Sequence, residues 1–477
     1  MTITELNRYL LIKAPNAILS PLHTQGSAQV LVDKTTGKII EIALGNRQCI
    51  SSLVDIDTEI IELNHDQLLM SGLVDAHVHL NEPGRTEWEG FETGTKAAAA
   101  GGVTTVIDMP LNAIPPTTTV ENLNIKLNAA KGQCHVDVGF WGGVVPDNAN
   151  ELPALIQKGV RGFKCFLMES GVIEFPCVNE AEIRLAMDRM INSDRVLLFH
   201  AELEGCQKSL QHKDDDDDDD DQKAYTSFLK SRPEELETNA IYMIIRLCKE
   251  YYDQGKPVNT HIVHLSAASA IPLIRAAKQE GIPLTVETCF HYLYFTAEDI
   301  EDGATYYKCC PPIREASNRE KLWEALLDGT IDYVVSDHSP CTAKLKKTVT
   351  GNFNQAWGGI ASVQFGLSIL WTECHKRGAS PQKIAQWLSL FPAKRATLDH
   401  KKGKIQVGYD GDFVIWRPDF TFKIHVDDVY FKNKASPYIG KTLYGIVDQT
   451  ILRGSVIYNR EKSNPFIEIP IGQSLLE

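Results

Sequence analysis

Two histidines at the end of an apolar run are the first residues in this chain that could carry chemistry. His77 and His79 lie in residues 72–80, and two side chains with this spacing in a strand point to the same face. Converging imidazoles are typical ligands of a transition metal. A His-x-His pair alone is more often an ordinary surface or core pair, so the prediction of a metal site depends on further ligands.

Four more candidate ligands stand at the ends of later apolar runs. They are Lys164 within residues 162–166, His200 after residues 196–199, His264 after residues 261–263 and Asp337 within residues 334–338. No single member is diagnostic. Four histidines, a lysine and an aspartate at separate strand ends together predict a metal centre.

Other histidines lie near these positions. His261 and His264 have an odd spacing, so both cannot face one pocket along a strand. We expect His264, at the strand end, to face the pocket and His261 to pack among helices. His291 and His338 are predicted near the rim of the barrel. Each could contact substrate, contact a metal ligand or have a structural role, and the sequence leaves these alternatives open.

Lys164 is unusual because aromatic neighbours place it on a buried strand, where a lone ammonium is expensive. Two interpretations stay open. The side chain reaches solvent or pairs with an acid, or CO₂ adds to the neutral amine and gives a carbamate that can bridge two metals. Asp337 is then expected both to bind metal and to accept a proton from water. The predicted chemistry is hydrolysis by a hydroxide held between two metals ~3.5–4 Å apart.

Alternating elements must position these residues. Near-continuous apolar runs predict strands that are buried on both faces, at residues 68–79, 103–109, 135–141, 160–167, 195–200, 258–265, 283–289 and 331–337. Amphipathic stretches predict helices between them, for example at residues 121–131, 181–191, 269–280 and 319–328. This pattern predicts a (β/α)₈ barrel of the TIM type, an α/β fold. The alternative is an open doubly wound sheet, but no Gly-x-Gly-x-x-Gly turn follows an early strand.

Short strand patterns flank the predicted barrel. Those at 8–66 and 405–458 are each too short to bury a core, so we expect them to pair into one small β-sandwich domain. The predicted division is a first sandwich part over 1–66, the metal-dependent barrel over 67–404, and a second sandwich part with the C-terminal tail over 405–477. A run of eight aspartates at 214–221 predicts a disordered acidic insertion at about 205–224.

Bulk properties exclude several classes of function. The 477 residues carry a formal charge of −14, to which the aspartate run contributes eight charges, and no basic stripe suggests a nucleic-acid partner. No apolar stretch has the length of a membrane span, and the N-terminus lacks the pattern of a signal peptide. The 11 cysteines form no framework, which predicts reduced thiols in a cytoplasmic enzyme.

Several motifs resemble one known family. They are residues 75–90, 101–105, 108–112, 162–166, 308–314, 336–341, 357–360 and 450–454. In these motifs, and over about residues 70–470, the chain resembles the cyclic amidohydrolases of the amidohydrolase superfamily. The resemblance implies two zinc ions per subunit, bridged by N6-carboxylated Lys164, with His77, His79, His200, His264 and Asp337 as the other ligands. It further implies hydrolysis of (S)-allantoin to allantoate in purine (ureide) breakdown, by a homotetramer. Imidazole also suits cobalt, nickel and iron, so the native metal stays open.

Two departures separate the chain from relatives. Dihydroorotases typically carry Arg two residues after the second histidine, whereas this chain has Asn81, which suits a neutral ureido group. Hydantoinases and dihydropyrimidinases usually have Tyr five residues after the bridging lysine, whereas this chain has Glu169. Asn81, Asn112 and Cys310 are the predicted substrate contacts, although turn chemistry explains Asn112 equally well and Cys310 replaces a common Ser. The alternatives are a dihydropyrimidinase-type or hydantoinase-type amidase, and a non-catalytic scaffold, against which the complete ligand set argues.

Overall fold

The computed structural model describes residues 7–21, 25–45, 57–204 and 222–476, so most of the predicted acidic insertion, including the aspartate run, lies outside the described residues. The described strands are β1 (Tyr9–Ile18), β2 (Gly26–Asp33), β3 (Lys38–Leu44), β4 (Thr58–Glu62), β5 (Leu68–Ser71), β6 (Leu73–Val78), β7 (Val103–Asp108), β8 (Asp137–Phe140), β9 (Gly142–Gly143), β10 (Gly162–Phe166), β11 (Val196–His200), β12 (Asn259–Ile262), β13 (Leu284–Cys289), β14 (Tyr333–Val335), β15 (Phe413–Lys423), β16 (Thr442–Leu452) and β17 (Ser455–Asn459).

Strands β6 to β14 run parallel and follow chain order around a barrel. One sheet has the order β6-β7-β8, and a second runs from β9 to β14. The Arg161 amide donates to the Phe140 carbonyl at 2.9 Å between the two sheets, and the His79 amide donates to the His338 carbonyl at 2.8 Å between the last and first strands. These contacts close the ring, so the predicted (β/α)₈ barrel is confirmed.

Helices cover the outside of the barrel. They are α1 (Phe91–Ala100), α2 (Val120–Ala130), α3 (Leu152–Gln157), α4 (Glu180–Met190), α5 (Tyr225–Ser231), α6 (Glu234–Asp253), α7 (Ile271–Gln279), α8 (Phe290–Tyr294), α9 (Ala316–Asp328), α10 (Gly366–Lys376), α11 (Pro381–Ala385) and α12 (Phe391–Arg395). Local sequence explains where some begin, since Asn179 and Glu182 form a capping box at the start of α4. Within the described ranges, none of these helices combines the length and apolarity that crossing a bilayer requires.

The predicted strand over 68–79 is wrong as one element. The structure divides it at Gly72, so that β5 pairs with β1 and antiparallel with β15, while β6 pairs with β7 in the barrel. At the division, the backbone of Gly72 lies against the Thr104 side chain, where a Cβ atom would clash. Unbroken apolarity cannot reveal this change of sheet, because both halves are fully buried.

Strands from both ends of the chain form one further sheet. Its order among the described residues is β17-β16-β15-β5-β1-β2-β3, with β4 paired to β1. Its own apolar cluster includes Leu10, Ile12, Val30 and Phe413. Lys402 links this sheet to the barrel, because its ammonium contacts Asp137 at the start of β8 at 2.7 Å and Asp412 before β15 at 2.6 Å. The predicted α/β barrel with a sheet-rich terminal part is therefore confirmed as the fold class.

Candidate metal centre

The six predicted ligands converge on one cavity at the carboxyl ends of the barrel strands. His77 lies in β6, Lys164 in β10 and His200 at the end of β11, while the others lie just beyond strand ends. Each is at most 7% exposed, and all six line a cavity of about 230 Å³: His77, His79, Lys164, His200, His264 and Asp337. The barrel thus brings together residues that are up to 260 positions apart in the chain.

The ligand-type side chains form two groups. Oδ1 of Asp337 lies 3.2 Å from Nε2 of His77 and 3.5 Å from Nε2 of His79. The rings of His200 and His264 form the second group, with centroids 4.6 Å apart. His77 and His264 connect the groups at a centroid distance of 5.4 Å. Two adjacent groups of imidazoles can hold two cations rather than one.

Electrostatics favour the protonation states that metal binding needs in His264 and Asp337. Burial, followed by the charge of Lys164, holds the pKa of His264 well below its ordinary value, so its ring is neutral. Burial raises the pKa of Asp337, but the imidazoles of His77 and His79 outweigh it and lower that pKa to about 2. Neutral imidazole and ionised carboxylate are the forms that bind metal.

Lys164 is suited to modification. Its side chain is 1% exposed, and burial lowers the pKa of its amine to about 8, against the smaller opposing effect of the Asp337 carboxylate. A neutral amine is the form that attacks CO₂. The same burial makes an unmodified ammonium costly, because the charge loses its hydration.

Buried nitrogen atoms without partners provide the test of fit. Among the described residues, Nε2 of His77, Nδ1 of His79 and Nδ1 of His264 are buried and have no hydrogen-bond partner. Such atoms are costly to bury, and a native structure normally satisfies them. Nε2 of His77 lies 3.2 Å from the Asp337 carboxylate, and ligand atoms of His77, His79 and Asp337 lie close enough together to hold one metal ion, so the donor set fits divalent cations.

Backbone conformation helps to aim several of these side chains. His264 and Asp337 have φ values of 39° and 42°, and Asn81 and Asn112 have 62° and 66°. The left-handed region costs about 1–2 kcal/mol for a residue that is not glycine. Four of the nine described residues other than glycine that have a positive φ are predicted site residues, and such a backbone directs side chains as a regular strand would not.

His261 corrects one expectation. It does not pack among helices, because its ring is fully buried inside the barrel, with Nε2 3.0 Å from a Glu287 carboxylate oxygen and 3.0 Å from the Tyr333 hydroxyl. The cavity lining includes His264 and not His261, as the odd spacing predicts, but β12 already ends at Ile262. His264 therefore lies beyond the strand with a positive φ, and strand alternation does not govern its direction.

His291 and His338 are both fully buried and lie outside the cavity lining. Nε2 of His338 lies 3.2 Å from a Glu89 carboxylate oxygen, and its Nδ1 accepts a hydrogen bond from the Ser362 amide at 3.1 Å. These contacts give His338 a structural role. Both ring nitrogens of His291 lack hydrogen-bond partners in the part of the chain that the structure describes.

The predicted substrate contacts divide in two. Asn112 and Cys310 line the cavity, beside Glu169. Asn81 is 1% exposed and absent from that lining, and its amide nitrogen lies 3.4 Å from the Pro340 carbonyl oxygen. Its contact with substrate stays a prediction that the geometry does not favour.

The sequence-based predictions did not include three residues that the structure places at the site. Glu287 contacts His77, Glu202 contacts His200, and Arg232 contacts Glu202 while lining the cavity. An acidic residue inside an apolar run, as Glu287 is in β13, is the signal that could have revealed the first. Glu202 lies two residues after a predicted ligand, whereas no local pattern identifies Arg232.

Comparison with known proteins agrees with the geometry. The amidohydrolase family model matches residues 68–457. The chain is 48% identical to an allantoinase of Saccharomyces cerevisiae over 94% of this chain and 95% of that protein, and 47% identical to one of Streptomyces avermitilis over 82% and 84%. The structure of an L-hydantoinase (dihydropyrimidinase) from Arthrobacter aurescens matches with a TM-score of 0.86 and 26% identity, covering 98% and 99% of the two chains. The family and the buried ligand set together imply a binuclear metal centre.

Proposed function

The chain belongs to the amidohydrolase family, and from that premise we propose that it hydrolyses the cyclic amide of allantoin to give allantoate, a reaction of purine breakdown. The observation that carries this proposal is the near full-length similarity, at 48% identity, to an allantoinase, combined with six ligand-type residues around one cavity. The L-hydantoinase structure is more distant in sequence, at 26% identity. A non-catalytic scaffold would not need a complete buried ligand set.

We propose that two zinc ions occupy the centre and that carboxylated Lys164 bridges them. The orphaned imidazole nitrogens and the lowered pKa of Lys164 support this assignment. When bound, such ions would acidify a water molecule and polarise the ring carbonyl. His77 and His79 with Asp337 would form one set of ligands, and His200 with His264 the other.

Asp337 moves the proton in this scheme. Its ionised carboxylate accepts a proton from the attacking water and delivers it to the ring nitrogen that leaves. The water oxygen bonds to the ring carbonyl carbon and the ring C–N bond breaks. The resulting carboxylic acid releases its remaining proton to solvent and becomes the carboxylate of allantoate. Asn112 and Cys310 contact the substrate from the wall of the cavity.

A substrate panel tests the proposal. Purified protein is given allantoin, dihydroorotate, dihydrouracil and hydantoin, and ring opening is followed with and without a chelator. We expect allantoin to be the preferred substrate, the chelator to abolish turnover, and Lys164→Ala to remove activity. Lys158→Ala changes an exposed lysine on the same barrel and serves as the control. Preference for dihydrouracil, or full activity of Lys164→Ala, contradicts the proposal.

We further propose specificity for the (S) isomer, a homotetramer and a cytoplasmic location. The nine free cysteines among the described residues support a reducing compartment. The division into 1–66, 67–404 and 405–477 is also a proposal. Pairing of strands from both ends of the chain in one sheet supports it, although β5 at Leu68–Ser71 belongs to that sheet as well.

A further inference from the structure

We propose that Glu287 is a positioning residue that holds the His77 ring with Nε2 facing the metal centre, an inference that rests on the proposed metal-dependent function. Glu287 lies in β13 and is fully buried, beneath the cavity rather than in its lining. Because Glu287 does not line the cavity, it can affect the site only through another residue, here His77.

The contacts of Glu287 run in two directions. Toward the site, Nδ1 of His77 donates to Oε1 at 2.5 Å. Away from the site, Oε2 lies 3.0 Å from Nε2 of His261, whose ring stacks on Tyr333 with a centroid distance of 5.3 Å. Nδ1 of His261 contacts the Thr285 hydroxyl at 2.8 Å. The carboxylate is therefore held from below by a packed ring and presents its other oxygen to His77.

This geometry decides which nitrogen of His77 is free. An imidazole that binds metal through one nitrogen carries its proton on the other, and a carboxylate at that proton fixes both the tautomer and the ring rotation. Nε2 of His77 is buried, has no hydrogen-bond partner within the described ranges and lies 3.2 Å from Oδ1 of Asp337. A hydrogen bond from Nδ1 to Glu287 therefore leaves the lone pair of Nε2 directed into the site.

The second group of ligands repeats the arrangement. Nε2 of His200 lies 2.6 Å from Oε2 of Glu202, and the Arg232 guanidinium donates to that same oxygen at 2.6 Å. In both groups, one histidine contacts a fully buried carboxylate that a second side chain holds in place. Recurrence at both groups favours a shared role over accidental packing.

The test is the zinc affinity of Glu287→Gln. Metal-free protein is titrated with zinc in competition with a chelator, and metal content is measured after removal of free ion. Loss of a carboxylate that orients a metal-binding histidine typically weakens metal binding about 10–100-fold. We expect wild type to bind two zinc ions, the variant to lose that much affinity for one of them, and excess zinc to restore its activity. In a His77→Ala background, Glu287→Gln should have no further effect on affinity.

A matched variant distinguishes the proposed positioning role of Glu287 from a purely structural one. Glu89 is also a fully buried glutamate in contact with a buried histidine, His338, which is not a predicted ligand. Glu89→Gln should lower Tm with and without zinc equally, whereas Glu287→Gln should reduce the rise in Tm that zinc produces. If Glu287→Gln does not fold, Glu287→Asp keeps the charge but withdraws the carboxylate by one methylene, and the same loss of affinity is expected.

Unchanged zinc affinity in either Glu287 variant overturns this inference and leaves the proposed function intact. An equal loss of affinity in Glu89→Gln also overturns it. Wild-type protein that binds no metal while opening allantoin would overturn the metal centre itself, together with this inference.

Discussion

Carboxylation of Lys164 should follow pH as expected for a buried amine. Burial lowers the pKa of this amine from 10.5 to about 8. At pH 7 such a group is neutral in about one molecule in ten, against about one in 3,000 for an ordinary lysine. Since only the neutral amine reacts with CO₂, Lys164 should react about 300 times faster at pH 7 than an exposed lysine of equal intrinsic reactivity.

The assay starts from protein freed of metal and CO₂ by dialysis against a chelator. Carbon-13 CO₂ is then added at one fixed dissolved concentration at each pH, and the carbamate carbon is followed by NMR. The rate should rise about tenfold per pH unit below pH 8 and become level above it. Lys164→Ala supplies the background from all other lysines.

Two results would refute this reasoning. A rate that continues to rise through pH 10 would mean that burial does not lower the pKa of Lys164. A carbamate signal of equal size in Lys164→Ala would mean that the modified lysine is elsewhere, and that the centre is held together in another way.

Three further predictions concern metal and stability. Metal analysis of the purified protein should find about two ions per chain, and a chelator should remove both ions and activity together, whereas a metal-free active protein would contradict the centre. Burial raises the pKa of Asp75 from 3.8 to about 6, so the stability that its neutral form contributes is complete below pH 3.8 and is lost as pH rises through about 6. The free energy of unfolding in urea should therefore be higher for Asp75→Asn than for wild type, by about 3 kcal/mol at pH 7 and by about half of that at pH 5. A difference that does not change with pH would show that the Asp75 carboxylate is not its cause. Lys402→Met should lower the free energy of unfolding by about 3–5 kcal/mol, because it removes the buried ammonium that contacts Asp137 and Asp412. The control Lys423→Met, at an exposed site, should change that free energy by less than about 0.5 kcal/mol.

Much of the fold could be predicted from pattern alone. The barrel strands are apolar on both faces, and strand β10 at Gly162–Phe166 and helix α4 at Glu180–Met190 lie within one or two residues of their predicted bounds. The boundary at Gly72 could not be predicted, since apolarity is equal on its two sides and the division is visible only in the different strand partners of β5 and β6.

The sequence by itself determined which side chains could bind metal, because histidine, lysine and aspartate at strand ends must meet where a parallel barrel collects those ends. Only the tertiary structure decided which buried side chains contact and orient these candidate ligands. Glu287 is 210 residues from His77, and their contact exists only because the barrel closes. Likewise, the positive φ that directs His264 into the cavity arises beyond its strand, where surrounding packing rather than local pattern sets the backbone.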